Sequence, residues 1–226
     1  MDGIANNIKK LRNILPENVS MVAVSKTRSS SEILQAYNAG QRIFGENRVQ
    51  ELILKEKGLP ADIQWHLIGH LQSNKVRQIV PIVSMIESVD SLRLLSVINS
   101  EASRCGRVID CLLQVHIATE ETKFGFDYSE IADELWGNIT STMKYVRICG
   151  LMGMASFTDD HEKVRDEFRS LKILFDTTRN KCFSNKPWFN VLSMGMSGDW
   201  KIAVEEGSTM IRVGTLIFGE RINKIK

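Results

Sequence analysis

The chain has 226 residues, 43% of them hydrophobic and 25% charged, and a formal net charge of +2. Those values are ordinary for a globular protein, and without a block of like charges they give no reason to expect nucleic acid or an anionic membrane as a partner. No apolar run approaches the roughly 20 residues of a membrane span, and residues 1–15 lack the apolar core of a signal peptide.

Ile4, Ile8, Leu11 and Leu15 recur at helical spacing, so an amphipathic helix is expected first, closed by Pro16. Val19 to Ser25 reads as the first strand. Ser29, Ser30 and Ser31 then offer N-caps for a helix that carries Ile33, Leu34, Tyr37 and Ala39 and ends at Gly40. The second strand is Arg42 to Gly45, followed by Glu46, Asn47 and a helix to about Lys57. Gln64 to Gly69 is the third strand, with Ser73 expected to cap a helix to Val80. Ser84 to Val89 is the fourth, with Asp90 expected to cap a helix to about Cys105.

The rhythm continues in the second half. Asp110 to Ile117 is the fifth strand, and Tyr128 to Trp136 is expected to be helical. Val146 to Met154 is the sixth. A long helix follows Asp159 and Asp160, with Val164, Phe168, Leu171, Leu174 and Phe175 on one face. Val191 to Met196 is the seventh strand, with a helix capped by Asp199 running to Glu206. Thr209 to Gly214 is the eighth, before a short turn at Leu216 to Gly219. Strands that alternate with helices imply a parallel sheet. Eight such units in this length predict an α/β chain folded as one (β/α)8 TIM barrel over residues 1–226, with an extra N-terminal helix. An open doubly wound sheet is the alternative. Its dinucleotide-binding form has a glycine-rich first turn, whereas here that turn is Lys-Thr-Arg-Ser.

In such barrels the site lies at the C-terminal strand ends. Lys26 is there, on the face of Val22 and Val24. An amine delivered by an apolar strand tends to lose its proton by desolvation, and a neutral amine is what a carbonyl needs to form a Schiff base. A lysine that snorkels to solvent is the other reading of the same residues. Asn47, His66, Met152, Met154, Ser193 to Ser197, Arg212, Gly214 and Thr215 end the other strands. The last two loops, Ser-Met-Gly-Met-Ser-Gly-Asp and Arg-Val-Gly-Thr, read either as tight turns or as a phosphate cradle of glycines and hydroxyls. A barrel lysine beside such a cradle suggests a phosphorylated aldehyde.

Val-Ser-Lys-Thr at 24–27, Phe-Gly-Glu-Asn-Arg-Val-Gln-Glu at 44–51 and Trp-His-Leu-Ile-Gly-His-Leu-Gln-Ser-Asn-Lys at 65–75 resemble one family. So do Gly-Leu-Met at 150–152, Leu-Ser-Met-Gly-Met-Ser at 192–197 and Gly-Ser-Thr-Met-Ile-Arg-Val-Gly-Thr-Leu-Ile-Phe-Gly at 207–219. The chain resembles the pyridoxal phosphate homeostasis proteins, single-barrel (fold type III) relatives of the N-terminal domain of alanine racemase. The blocks run in order from the first strand to the end. The resemblance implies that Lys26 carries pyridoxal 5′-phosphate (PLP) as a Schiff base, with Arg212 at the pyridine nitrogen. Ser197, Gly214 and Thr215 would hold the phosphate, with Ser193 and Met196 nearby, and Asn47, His66 and Met152 would line the ring pocket. His70 departs from a proline expected in many members, and Gly198 falls at a variable position.

A cation at the pyridine nitrogen disfavours the pyridinium and weakens the ring as an electron sink. Racemisation also needs a second acid/base group on the opposite face. In alanine racemase a C-terminal domain supplies it in trans, and the residues after the eighth strand, Glu220 to Lys226, contain no evident replacement. The expected function is therefore a non-catalytic, cytoplasmic carrier in PLP (vitamin B6) homeostasis, with apo PLP enzymes as potential recipients, as a monomer or weak dimer. A PLP-dependent racemase-like enzyme and a cofactor-free Schiff-base aldolase are the alternatives.

No metal is expected. His66 and His70 have HxxxH spacing, but Gly69 ends a strand between them, and His116 and His161 lack partners at ligand spacing. Cys105, Cys111, Cys149 and Cys182 form no CxxC pair and suit reduced thiols, with Cys149 an inert core thiol. Met152, Met154, Met194, Met196 and Met210 are expected to fill the barrel mouth. Glu120, Glu121 and Lys123 read as a solvated loop.

Overall fold

β1 (Ser20–Val24) pairs in parallel with β2 (Ile43–Glu46) on one side and β8 (Met210–Val213) on the other, and that double pairing closes the sheet. Between them run β3 (Gln64–Leu67), β4 (Met85–Val89), β5 (Ile109–Val115), β6 (Val146–Gly153) and β7 (Val191–Ser193), each paired with its sequence neighbours. The computed structural model describes residues 3–118, 124–131 and 136–220. The expected closed barrel of eight parallel strands is therefore the fold. The reading of Glu120, Glu121 and Lys123 as a loop lies outside the described residues.

Helices α1 (Gly3–Ile14), α2 (Ser30–Asn38), α3 (Val49–Glu56), α4 (Val76–Ile79) and α5 (Leu92–Arg104) accompany the first half. α6 (Tyr128–Ile131), α7 (Trp136–Thr142), α8 (His161–Cys182), α9 (Trp200–Glu205) and α10 (Thr215–Phe218) accompany the second. α1 buries Ile8 and Leu11 and is pinned to the last element by Asn7 Nδ2, which donates to the Ile217 carbonyl at 3.0 Å. α2 begins with a capping box: Ser29 Oγ accepts from the Glu32 N–H, and Glu32 Oε2 accepts from the Ser29 N–H. α8 starts on Asp160, whose Oδ1 accepts from the Lys163 N–H.

Three expected caps differ. Ser91, not Asp90, caps α5, because its Oγ reaches the Leu94 N–H at 3.3 Å. Ser73 does not cap α4 but opens a 3-10 turn, Ser73–Lys75, that leads into it. Asp199 stands at the N-cap of α9 but makes no cap bond, since its carboxylate turns back to its own loop.

The strand period of two sorts side chains between two cores. Met21, Ala23, Phe44, Leu67 and Ile211 pack outward against the helices. Val22, Met85, Leu112, Cys149, Met152 and Met210 fill the barrel interior, with Met154 packed on them. Met194, expected at the barrel mouth, belongs to the outer core instead, and Met196 is 38% exposed. The register slips between Cys111 and Leu112, where β6 carries an extra residue. Gly150 makes that bulge possible: its φ is +154°, and a Cβ there would lie 1.7 Å from the Val191 carbonyl oxygen.

Candidate functional site

Lys26 sits just beyond β1, in a tight turn rather than in the strand. The Arg28 N–H donates to the Ser25 carbonyl at 2.9 Å and closes this four-residue turn. Its third residue, Thr27, has φ +66°. A β-branched residue there is strained by about 1–3 kcal/mol and has to be held by its surroundings. Holding contacts are present on both sides of Lys26. The Thr27 N–H donates to Glu51 Oε1 at 2.5 Å, Lys55 Nζ donates to the Ser25 carbonyl at 2.8 Å, and Ser25 Oγ donates to Glu46 Oε1 at 2.6 Å.

Lys26 lines a cavity of about 570 Å³ at the C-terminal end of the barrel. Arg28 and Asn47 line it from the first strands, Ser156 to Asp159 and His161 from the β6–α8 loop. Met196 to Asp199, Arg212, Gly214 and Thr215 complete the wall. The loop after β7 enters through Gly195, at φ +96°, where a Cβ would lie 2.6 Å from Ala203 Cβ. The Met196 N–H donates to Asp199 Oδ1 at 2.5 Å, and the Gly214 N–H donates to Ser197 Oγ at 3.2 Å. That second bond ties the β7 and β8 loops together. Thr215 and Leu216 head the turn of α10, where N–H groups have no carbonyl of a preceding turn. A Cβ added at Gly198 would meet nothing within 4 Å. Hydroxyls and backbone N–H groups, beside a glycine that leaves room for close approach, can seat an anion. Burial pushes the Asp199 carboxyl above its ordinary range, against the opposing pull of the Met196 N–H and the Arg212 guanidinium.

Beneath the cavity a chain of polar groups crosses the barrel interior. His66 Nδ1 lies 2.7 Å from Glu87 Oε1, Ser193 Oγ donates to Glu87 Oε2 at 2.7 Å, and Arg212 Nη1 donates to Ser193 Oγ at 2.5 Å. Arg212 Nη2 donates to the Gly153 carbonyl at 2.9 Å. All four side chains are buried. Burial alone would raise the Glu87 carboxyl. The hydrogen bond and charge of His66, with Arg212 and Ser193, hold it below the ordinary glutamate value instead. Burial lowers the Arg212 guanidinium, opposed by Glu87 and Asp199. It remains a cation, because arginine starts so high.

Lys26, Asn47, Met196, Ser197, Arg212, Gly214 and Thr215 are therefore brought together on one wall. His66, Met152 and Ser193 are not on it. The strand alternation turns them into the packed interior, where Met152 joins the apolar filling and the other two join the Glu87 chain. Asn47 Oδ1 is buried without a hydrogen-bond partner among the described residues, a spare acceptor in the cavity wall. Glu87, Arg28 and His161 were not expected at the site, and Asp199 was expected only as the end of the β7 loop and as a helix cap. Glu87 carried a usable signal, a carboxylate in the middle of an otherwise apolar strand. His70 does not share a site with His66; it stacks on Phe124 at 3.9 Å and lies 3.0 Å from Asp90. No group of three or more potential metal ligands occurs among the described residues.

The family model for the alanine racemase N-terminal domain matches residues 1–222. The pyridoxal phosphate homeostasis protein of Helicobacter pylori (strain 26695) is 36% identical over 224 residues, covering 97% of each chain. That of Escherichia coli K12 is 33% identical, covering 98% of each. The chain belongs to the pyridoxal phosphate homeostasis protein family.

Among solved structures, PipY of Synechococcus elongatus superposes with a TM-score of 0.90 without PLP, at 38% identity over 96% of this chain and all of that one. Its PLP-bound form superposes with a TM-score of 0.86 at 39% identity. Alanine racemase of Clostridium difficile is only 14% identical and matches over 57% of its own length, a likeness of fold alone. As a pyridoxal phosphate homeostasis protein, this chain carries the strand-end lysine and the paired β7 and β8 loops in one cavity. No helix among the described residues is long and apolar enough to cross a membrane.

Proposed function

We propose that this protein binds pyridoxal 5′-phosphate through Lys26 and takes part in intracellular PLP homeostasis as a carrier without catalytic turnover. The observation that carries the reading is the single cavity shared by Lys26, the Ser197–Gly214–Thr215 donor set and the buried cation Arg212. The relatives' names and the PLP-bound relative support it. When bound, PLP supplies an aldehyde that a neutral primary amine condenses with, releasing one water.

The chain's own residues divide the remaining work. Ser197 and Thr215 hydroxyls and the first N–H groups of α10 would receive the phosphate. Arg212, fixed by Ser193, Glu87 and the Gly153 carbonyl, would present its guanidinium to the pyridine nitrogen. A fixed cation there keeps that nitrogen unprotonated and limits withdrawal of electrons by the ring. Asn47 Oδ1 would accept from a ring substituent. A site of this kind suits retention and delivery, with apo PLP enzymes as recipients.

The purified protein should be yellow with PLP, and borohydride reduction should fix a pyridoxyl mass on Lys26. Lys26→Ala should remove both the colour and the adduct. Deuterium incorporation at Cα of any amino acid, dependent on Lys26, would overturn the non-catalytic part. An adduct on another residue would overturn the site.

A further inference from the structure

Lys55 is a cation with all three of its ammonium donors used: on Glu46 Oε1 at 2.7 Å, on Glu51 Oε1 at 2.6 Å and on the Ser25 carbonyl at 2.8 Å. Its side chain is 8% exposed, and those of Glu46 and Glu51 are 0% and 23% exposed. Burying an ion pair costs desolvation that a well-packed apolar cluster would avoid, so stability alone does not account for this one. Burial in fact leaves the Glu46 carboxyl above its ordinary range despite Lys55 and Ser25, and its Oε2 has no hydrogen-bond partner among the described residues.

What the cluster touches is the backbone on either side of Lys26. Ser25 is held through its carbonyl and its hydroxyl, and Thr27 through its N–H. Ser25, Glu46, Glu51 and Lys55 are all absent from the cavity wall, so the cluster acts on the cavity through its chain neighbours there, with Lys26 the one it brackets on both sides. Thr27, at φ +66°, occupies a backbone region that type II turns usually give to glycine. The two carboxylates and the lysine supply the outside grip that a strained turn requires.

We propose that the Lys55–Glu46–Glu51 cluster is a positioning device that clamps the Ser25–Arg28 turn and so aims the Lys26 amine into the cavity. Glu46, Glu51 and Lys55 are positioning residues; none touches a ligand. The inference rests on Lys26 being the attachment point for PLP.

The test titrates apo protein with two ligands. PLP reports the covalent link through its absorbance and through borohydride trapping at residue 26. Pyridoxine 5′-phosphate lacks the aldehyde and reports only the seat. Glu51→Ala, at a partly exposed position, should weaken apparent PLP affinity and slow trapping by about tenfold or more. It should leave pyridoxine 5′-phosphate affinity within about threefold of wild type. Glu51→Gln, which keeps an acceptor for the Thr27 N–H, should restore most of the loss. In a Thr27→Gly background, where the turn needs no outside grip, the Glu51→Ala loss should shrink. Unchanged PLP trapping in Glu51→Ala, equal loss for both ligands, or an undiminished loss in the Thr27→Gly background overturns the clamp. A wild type without an adduct at Lys26 instead defeats the functional reading on which it rests.

Discussion

Glu87 and Arg212 approach each other inside the barrel at 3.8 Å, with the Ser193 hydroxyl bonded to both. The cation in the cavity wall is thus held by a carboxylate that does not itself line the cavity. Three expectations follow from this arrangement and from the burial around it.

Glu87→Gln keeps the shape of the side chain but removes the charge facing His66 and Arg212. The cost should be about 2–3 kcal/mol, because a buried cation loses its counter-charge. For a chain of this size that lowers the melting midpoint by roughly 5–10 °C in a thermal scan. The pH dependence carries a second signature. Glu87 titrates lower in the folded protein than in the unfolded chain, so between those values the unfolded state binds more protons. Its contribution is present above the ordinary glutamate range and lost as pH falls through the folded value. Chemical denaturation of the variant across the acid range should show a shallower loss of stability than wild type; an identical slope would refute the assignment.

Asp199 faces the same cavity as the Ser197–Thr215 donor set, so its charge opposes any anion seated there. Asp199→Asn retains an oxygen for the Met196 N–H and should tighten binding of pyridoxine 5′-phosphate at neutral pH by about three- to tenfold. The Asp199 carboxyl titrates above its ordinary value, so it becomes neutral early on acidification. The gain of the variant should therefore fade as pH is lowered toward the acid range. Calorimetric titration at two pH values would measure it, and a gain that is constant or grows on acidification would contradict this account.

The thiols should separate by burial. Cys105 is exposed and should react with a thiol reagent in the folded protein. Burial pushes Cys149 up to about 12 and raises Cys111 well above its usual value, so both should stay unmodified until the chain unfolds. Mass mapping after a timed pulse of iodoacetamide would show modification of Cys111 or Cys149 only in denaturant.

The barrel could be read from the sequence because its signals are local. Each strand is a short apolar run, each helix has its own period, and Gly and Pro mark the ends. Lys26 and the β7 and β8 loops were readable for the same reason: unusual residue types at strand ends. Glu87 stands out as a carboxylate in an apolar strand, but its role was not legible: its partners Ser193 and Arg212 are 106 and 125 positions away, and no local pattern pairs residues across a barrel. The Glu46–Lys55 pair was missed on shorter spacing, because each residue alone passes for solvated charge. Cap identity failed where two polar residues stand side by side. Asp90 and Ser91 are equally good caps by type, and only backbone geometry selects Ser91.

The pairing of β1 with β8 also bears on how the protein is made. Lys26 is made well before Arg212, Gly214 and Thr215, yet they share one cavity. A nascent chain therefore has no place to lodge a ligand until its final strand has docked beside its first. Closing the barrel and completing the cavity are thus a single event in folding.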